Sequence, residues 1–234
     1  AHLFDDVETA LLREARRRGV PCVGYINSWD KITTRASLRL LPDTMLVFND
    51  IVKAEAMRYA DMPAERVIAT GIPEYDRFVT EQPALREEFF RRIGIDPAKR
   101  LVVYAPMGRT FSDSDWEMID ILYTAIERGR IGPDAALLVR FQPNDFVDEA
   151  ELKRRPRLHY DIPGIRFGTE RSVDWDMGFR ELEHLTDTLA HLTVLVCYAS
   201  SIAIDAAIFG KPTVGIAFEV KKQPLSKSPT SITR

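Results

Sequence analysis

Apolar residues recur along this chain with two periods that take turns. Across residues 5–18 the positions Val7, Leu11, Leu12 and Ala15 are spaced as one face of a helix, which Gly19 closes. Residues 21–26 and 44–48 are short apolar runs that predict strands. Residues 51–60 predict the helix after the second strand, capped by Asn49 or Asp50. Residues 66–70 form a third predicted strand, stopped by Gly71 and Pro73. A charged segment follows, with Pro83 and a helix across 84–92 whose apolar side is Leu85, Phe89 and Phe90. A second series then begins. It has a strand at 100–105, a loop, a helix at 116–128, a strand at 136–141, a helical stretch across 146–155 and a helix at 178–190. Strands alternating with helices predict an α/β fold of parallel sheets with helices on both faces.

The most informative stretch is 194–215, VLVCYASSIAIDAAIFGKPTVG. Val194 to Cys197 is a buried-strand pattern, and Ser200 and Ser201 place hydroxyls where a helix should begin. Residues 202–209 are apolar nearly all round, which predicts a sandwiched helix, and Gly210 with Pro212 ends it before another strand at 213–216. In such βαβ units anions bind at the helix N-terminus. Asp205, one turn in, is the one hydrophilic interruption, and packing does not account for it.

Composition narrows the class. The chain has 234 residues, enough for one or two domains, with 45% hydrophobic and 29% charged residues, as in a globular protein. A net charge of −3 gives no electrostatic reason to expect a nucleic-acid partner. The basic clusters at 13–18 and 153–155 read as solvated helix faces, leaving open only a peripheral contact with the inner membrane face. Cys22 and Cys197 both fall in predicted buried strands, which suits a reducing, cytoplasmic setting, and no apolar run approaches a membrane span. The tail from about 220 is polar and proline-containing and reads as loop or disorder.

Other candidates lie in loops that follow strands. Gly108, Arg109 and Thr110 follow the strand at 100–105. The glycine permits close backbone approach, the guanidinium is a phosphate fork and the hydroxyl a donor, unless this is an ordinary polar loop. Arg140, Gln142 and Asn144 end the next strand, where a ligand at the carboxyl edge of the sheet would lie; Asp145 reads as a cap for the following helix. Trp29, Asp30 and Lys31 follow a strand of the first series. Asp30 is the candidate general base there, against a simple turn-forming role. Asp113 with Asp115 and Asp174 with Asp176 read as a helix-cap region and a surface loop rather than metal sites. His184 and His191 share a helix face without further ligands, so no metal is expected. No phosphate-binding Gly-Lys-Ser/Thr loop, dinucleotide glycine motif or Gly-x-Ser-x-Gly elbow is present, so no resident cofactor is expected.

Several of these segments resemble one superfamily. Ser200-Ser201, Asp205-Ala-Ala and Gly210-Lys-Pro look like the nucleotide-sugar site of GT-B glycosyltransferases. They are also similar to segments of CDP-glycerol glycerophosphotransferases and UDP-N-acetylglucosamine 2-epimerases. The stretches GYINSWDKITT, ERVIATGIPEYDRF, LVVYAPMGRT and LLVRFQPND extend the likeness to about residue 219. Phe141 and Gln142 stand where relatives commonly show Pro and His. The resemblance implies two Rossmann-like domains with the first incomplete: 1–78 acceptor-side, 79–98 a connector, and 99–234 the donor domain. It implies transfer of a sugar or glycerophosphate-type group from a nucleotide diphosphate donor to a surface-polysaccharide acceptor. The nucleotide would be bound by Arg109, Thr110, Arg140, Gln142, Ser200, Ser201 and Asp205, with Asp205 on the ribose, and Asp30 would act as base. A UDP-sugar 2-epimerase and a non-catalytic nucleotide-binding module are the alternatives.

Overall fold

The computed structural model describes residues 6–34, 38–109, 111–143, 145–168 and 174–221. The chain folds as two compact units, Ala1–Val79 and Thr80–Arg234.

The first unit opens with α1 (Asp6–Arg17), followed by β1 (Val23–Tyr25), the short α2 (Lys31–Thr34), β2 (Thr44–Val47), α3 (Asp50–Tyr59), β3 (Val67–Ala69) and α4 (Asp76–Thr80). The three strands form a parallel sheet in the order β1-β2-β3. Asn49 is the cap of α3, its side chain accepting the Val52 N–H at 3.0 Å. Side chains alternate across a strand, so Met45 and Val47 enter the core with Ile26, Val52, Ala56 and Val67. Leu46 is half-buried and Ile68 and Val23 are exposed, so burial in this small sheet is one-sided. Cys22 is likewise only half-buried and precedes β1, a correction to its expected place in a buried strand.

The second unit contains α5 (Arg86–Arg92), β4 (Arg100–Ala105), α6 (Asp115–Glu127), β5 (Ala135–Arg140), α7 (Glu149–Lys153), β6 (His159–Asp161), β7 (Ile165–Arg166), β8 (Trp175–Asp176), α8 (Phe179–His191), β9 (Val194–Cys197), α9 (Ile202–Ile208) and β10 (Thr213–Gly215). Five strands form a parallel sheet in the order β10-β9-β4-β5-β6. Val102, Tyr104, Leu137 and Val139 meet Met118, Ile119 and Leu122 of α6 on one face, while Leu101, Val103 and Leu138 alternate with them and are equally buried. A sheet buried on both faces is why β4 and β5 read as continuous apolar runs rather than as alternating ones.

Four features depart from the sequence-based expectations. The segment expected to be a connector packs within the second unit. Phe89 and Phe90 are fully buried, the Ala84 N–H donates to Asp187 at 2.7 Å, and Arg92 pairs with that carboxylate. The helix α9 is not sandwiched. Only Ala206 is buried, because α9 packs beside β10, an edge strand with all three residues exposed. Trp175 and Asp176, expected in a surface loop, pair antiparallel with Arg166 and Ile165, and the edge strand β6 was not anticipated. The helix expected across 146–155 shortens to α7, capped by Asp148 rather than Asp145, the Asp148 side chain accepting the Ala150 N–H at 2.8 Å. Among the described residues no helix is long and apolar enough to cross a membrane.

Candidate functional site

The strand order decides where a ligand can sit. From β4 the chain moves outward through β5 to β6, then returns to the other side of β4 as β9. The carboxyl ends of β4 and β9 therefore lie at a point where the winding reverses, and the loops leaving them part to open a crevice. A cavity of about 440 Å³ lies there, within the few hundred Å³ typical of small-molecule sites. Pro106, Met107 and Phe111 form one wall, Arg140 and Gln142 another, and Ser200, Ser201 and Asp205 a third. Met177 and Leu185 add apolar surface.

Five of the expected nucleotide-binding residues, Arg140, Gln142, Ser200, Ser201 and Asp205, are thus brought to one cavity from two segments far apart in sequence. Ser201 occupies the cap position of α9 in helical geometry and makes no side-chain cap bond, contrary to the expectation that its hydroxyl would close the helix. Arg140 is buried, and its guanidinium pairs with Asp161 from the neighbouring strand. Burial pulls the Arg140 pKa below its ordinary value, with the charges of Asp161, Glu181 and Asp205 opposing that shift. Burial alone would push the Asp161 carboxyl up. The His184 ring, 3.1 Å away, and the Arg140 charge outweigh it and hold Asp161 below the usual carboxylate range.

Arg109 is placed differently from the expectation. Its side chain is exposed and lines a neighbouring acidic cleft with Asp113, Asp145, Asp148 and Glu151, and its backbone N–H is held by the Asp145 carboxylate at 2.9 Å. Asp145 is therefore a loop clamp and not the cap expected of it. Thr110 and Asn144 lie outside the described residues. Asp30 belongs to the first unit, where its carboxylate accepts from the Ser28 hydroxyl and, at 3.1 Å, from the Thr34 hydroxyl.

Asp115, expected only in a helix-cap region, holds the loop beside the cavity. Asp115, at the start of α6, accepts the Gly108 N–H at 2.8 Å, the Met107 N–H at 3.2 Å and the Tyr104 hydroxyl at 3.3 Å. Burial pushes its carboxyl up to about 6, against the lowering effect of these donors. A folded-state pKa above the unfolded one means that stability falls as pH rises from the unfolded value towards about 6. By neutral pH the ionised carboxylate costs about 3 kcal/mol. Gly108 closes the same loop with φ +84°, and a Cβ there would stand 2.3 Å from Gln142 Oε1 and 2.7 Å from Asp145 Oδ2.

Comparison with known proteins identifies the family. The model for CDP-glycerol:poly(glycerophosphate) glycerophosphotransferases matches residues 41–223. The chain belongs to this glycerophosphotransferase family. Among solved structures, it is similar to the wall teichoic acid polymerase TagF at 19% identity and a TM-score of 0.47, covering 75% of this chain and 39% of that one. It is also similar to UDP-GlcNAc 2-epimerase from Neisseria meningitidis bound to UDP-GlcNAc. That match has 11% identity and a TM-score of 0.56, covering 96% of this chain and 58% of that one. The S. aureus MnaA–UDP structure gives 13% identity and a TM-score of 0.54, covering 86% of this chain and 52% of that one. The epimerase likenesses carry the fold, the GT-B type that the sequence resemblance implied. The chain spans about two fifths of the length of TagF. No curated protein matches it.

Proposed function

We propose that this glycerophosphotransferase-family chain binds a nucleotide diphosphate donor such as CDP-glycerol in the cavity at the carboxyl ends of β4, β5 and β9. From there it would transfer the donor's glycerophosphate group to a hydroxyl of a surface-polymer acceptor. The observation that carries the proposal is the convergence of Arg140, Gln142, Ser200, Ser201 and Asp205 on one cavity at the winding reversal of a parallel sheet.

The chemistry follows from charge. An acceptor oxygen attacks the glycerol-bearing phosphorus and the bond to the bridging oxygen breaks. CMP then leaves with that electron pair, and the acceptor proton passes to a base. Asp30 is the base proposed from the first unit. A sugar donor would instead release the nucleoside diphosphate. In both cases negative charge grows on a phosphate, and fixed donors in a partly dry cavity stabilise it most where water is excluded. Ser200, Ser201 and Arg140 are those donors. Because Asp161 neutralises part of the Arg140 charge, the hydroxyls carry more of the task than a lone arginine would leave them. Asp205 accepts from the ribose hydroxyls.

Titration calorimetry with CDP-glycerol, CDP, UDP and GDP tests the site. Asp205→Ala should weaken binding about tenfold to a hundredfold, the worth of hydrogen bonds to a charged acceptor, with little change in Tm. Unchanged affinity would refute the ribose role. The nucleotide released on turnover, CMP or a nucleoside diphosphate, distinguishes glycerophosphate transfer from sugar transfer.

A further inference from the structure

Resting on the donor-cavity proposal, we infer that Asp115 is a positioning residue: its carboxylate holds the Met107–Arg109 turn, which carries Met107 into one wall of the cavity, by accepting the Met107 and Gly108 N–H groups.

Three observations carry this. The loop supplies Met107 and Phe111 to the cavity, so its backbone path sets that wall. Its later part is closed by backbone bonds, the Phe111 and Ser112 N–H groups donating to the Gly108 carbonyl, while its first three amides are held by side chains. Asp115 takes two successive amides, and Asp145 takes the next one, that of Arg109. Finally, the loop has no slack. Gly108 stands at φ +84°, and a Cβ there would meet Gln142, itself a cavity residue, at 2.3 Å and Asp145 at 2.7 Å, so the turn is packed directly against those side chains. A neutral asparagine or a hydrophobic residue at 115 would relieve the burial of a charge. The carboxylate present instead offers two oxygens, one for each of two N–H groups that point the same way.

The groups around Asp115 are the Tyr104 hydroxyl on β4, the Asp145 carboxylate after β5, and Tyr198 after β9; Cys197 lies behind Tyr104. Burial and Asp145 raise the Asp115 carboxyl, and the loop amides and Tyr104 lower it, with about 6 as the result. Protonation removes one acceptor and releases the loop. The loop is therefore held above about pH 6 and loosened below it, which gives the wall a pH dependence that plain packing would lack.

The test pairs amide hydrogen exchange with binding of CDP-glycerol. The phosphates of CDP-glycerol lack the second ionisation near about 6 that a terminal phosphate has. In the wild-type chain, affinity should be about tenfold weaker at pH 5 than at pH 7.5, as expected if only the ionised form of a group of pKa near 6 supports binding. In Asp115→Asn the pH step should vanish, the affinity at pH 7.5 should already be lower by at least the roughly tenfold that the wild type loses at pH 5, and the Met107 and Gly108 amides should exchange faster, with no loss of Tm. The pH step persisting in Asp115→Asn would assign it to another group and would overturn the inference. So would unchanged exchange at both amides. If the wild type binds no CDP-glycerol at any pH, the donor assignment fails by itself, and amide protection alone then decides whether Asp115 holds the loop. Should Asp115→Asn fail to fold, the wild-type Met107 and Gly108 amide shifts decide: a midpoint near about 6 supports the inference, and a flat profile ends it.

Discussion

Replacing Asp161 by Asn tests the electrostatics beneath the cavity. The Arg140 side chain is 4% exposed and the Asp161 side chain 15%, so the pair is shielded from water, and His184 supplies a third member at 3.1 Å. Removing one partner of such a pair strands the other charge, which typically costs about 3–5 kcal/mol. Asn keeps one acceptor for Arg140, so the expected loss lies at the lower end, about 3 kcal/mol. Urea unfolding at pH 7 should show a lower midpoint with an unchanged slope. Because the folded-state pKa of Asp161 is depressed, its contribution is present above the unfolded carboxylate value and is lost as pH falls through the folded one. The difference between wild type and variant should therefore persist from pH 5 to 8 and shrink in stronger acid. Adding Arg140→Met to Asp161→Asn should recover much of the loss, since no stranded charge remains. A loss below about 1 kcal/mol, or no recovery in the double variant, would show that Arg140 draws its balance from Asp205 or Glu181 instead.

Two further substitutions probe the cavity wall and the 80–92 segment. Gly108→Ala forces a side chain into the left-handed region and against Gln142. It should cost about 1–2 kcal/mol in thermal unfolding and weaken donor binding by displacing Gln142. Asp187→Ala strips the acceptor from the Ala84 N–H and the partner from Arg92. A loss of about 2 kcal/mol by urea unfolding, with new protease cleavage near residues 80–85, is the expected result, and unaltered cleavage would contradict it.

Local pattern was enough for the elements that bury a regular face. The strand at 194–197 and the strand at 100–105 occur where their apolar runs begin and end, and Asn49, one of the two caps expected, caps α3. A buried parallel strand and a capped helix are decided mainly by residues a few positions apart. The short β6 and the β7–β8 pair were not legible. His159 to Asp161 carries no apolar run, and Trp175 is placed by its partner Arg166 and by its indole N–H donating to the Pro163 carbonyl at 3.0 Å.

The candidate site divides along the same line. Ser200, Ser201, Asp205, Arg140 and Gln142 were identifiable because each sits at the end of a strand or the start of a helix. In a parallel sheet all such ends share one edge. What the linear chain could not show is which charges neutralise one another across that edge. Arg140 meets Asp161, Arg109 lies in an acidic cleft with its N–H on Asp145, and Asp115 holds the amides of a loop that precedes it. Those pairings depend on strand order and on the absence of water between the partners. Both exist only once β4, β5 and β6 lie side by side.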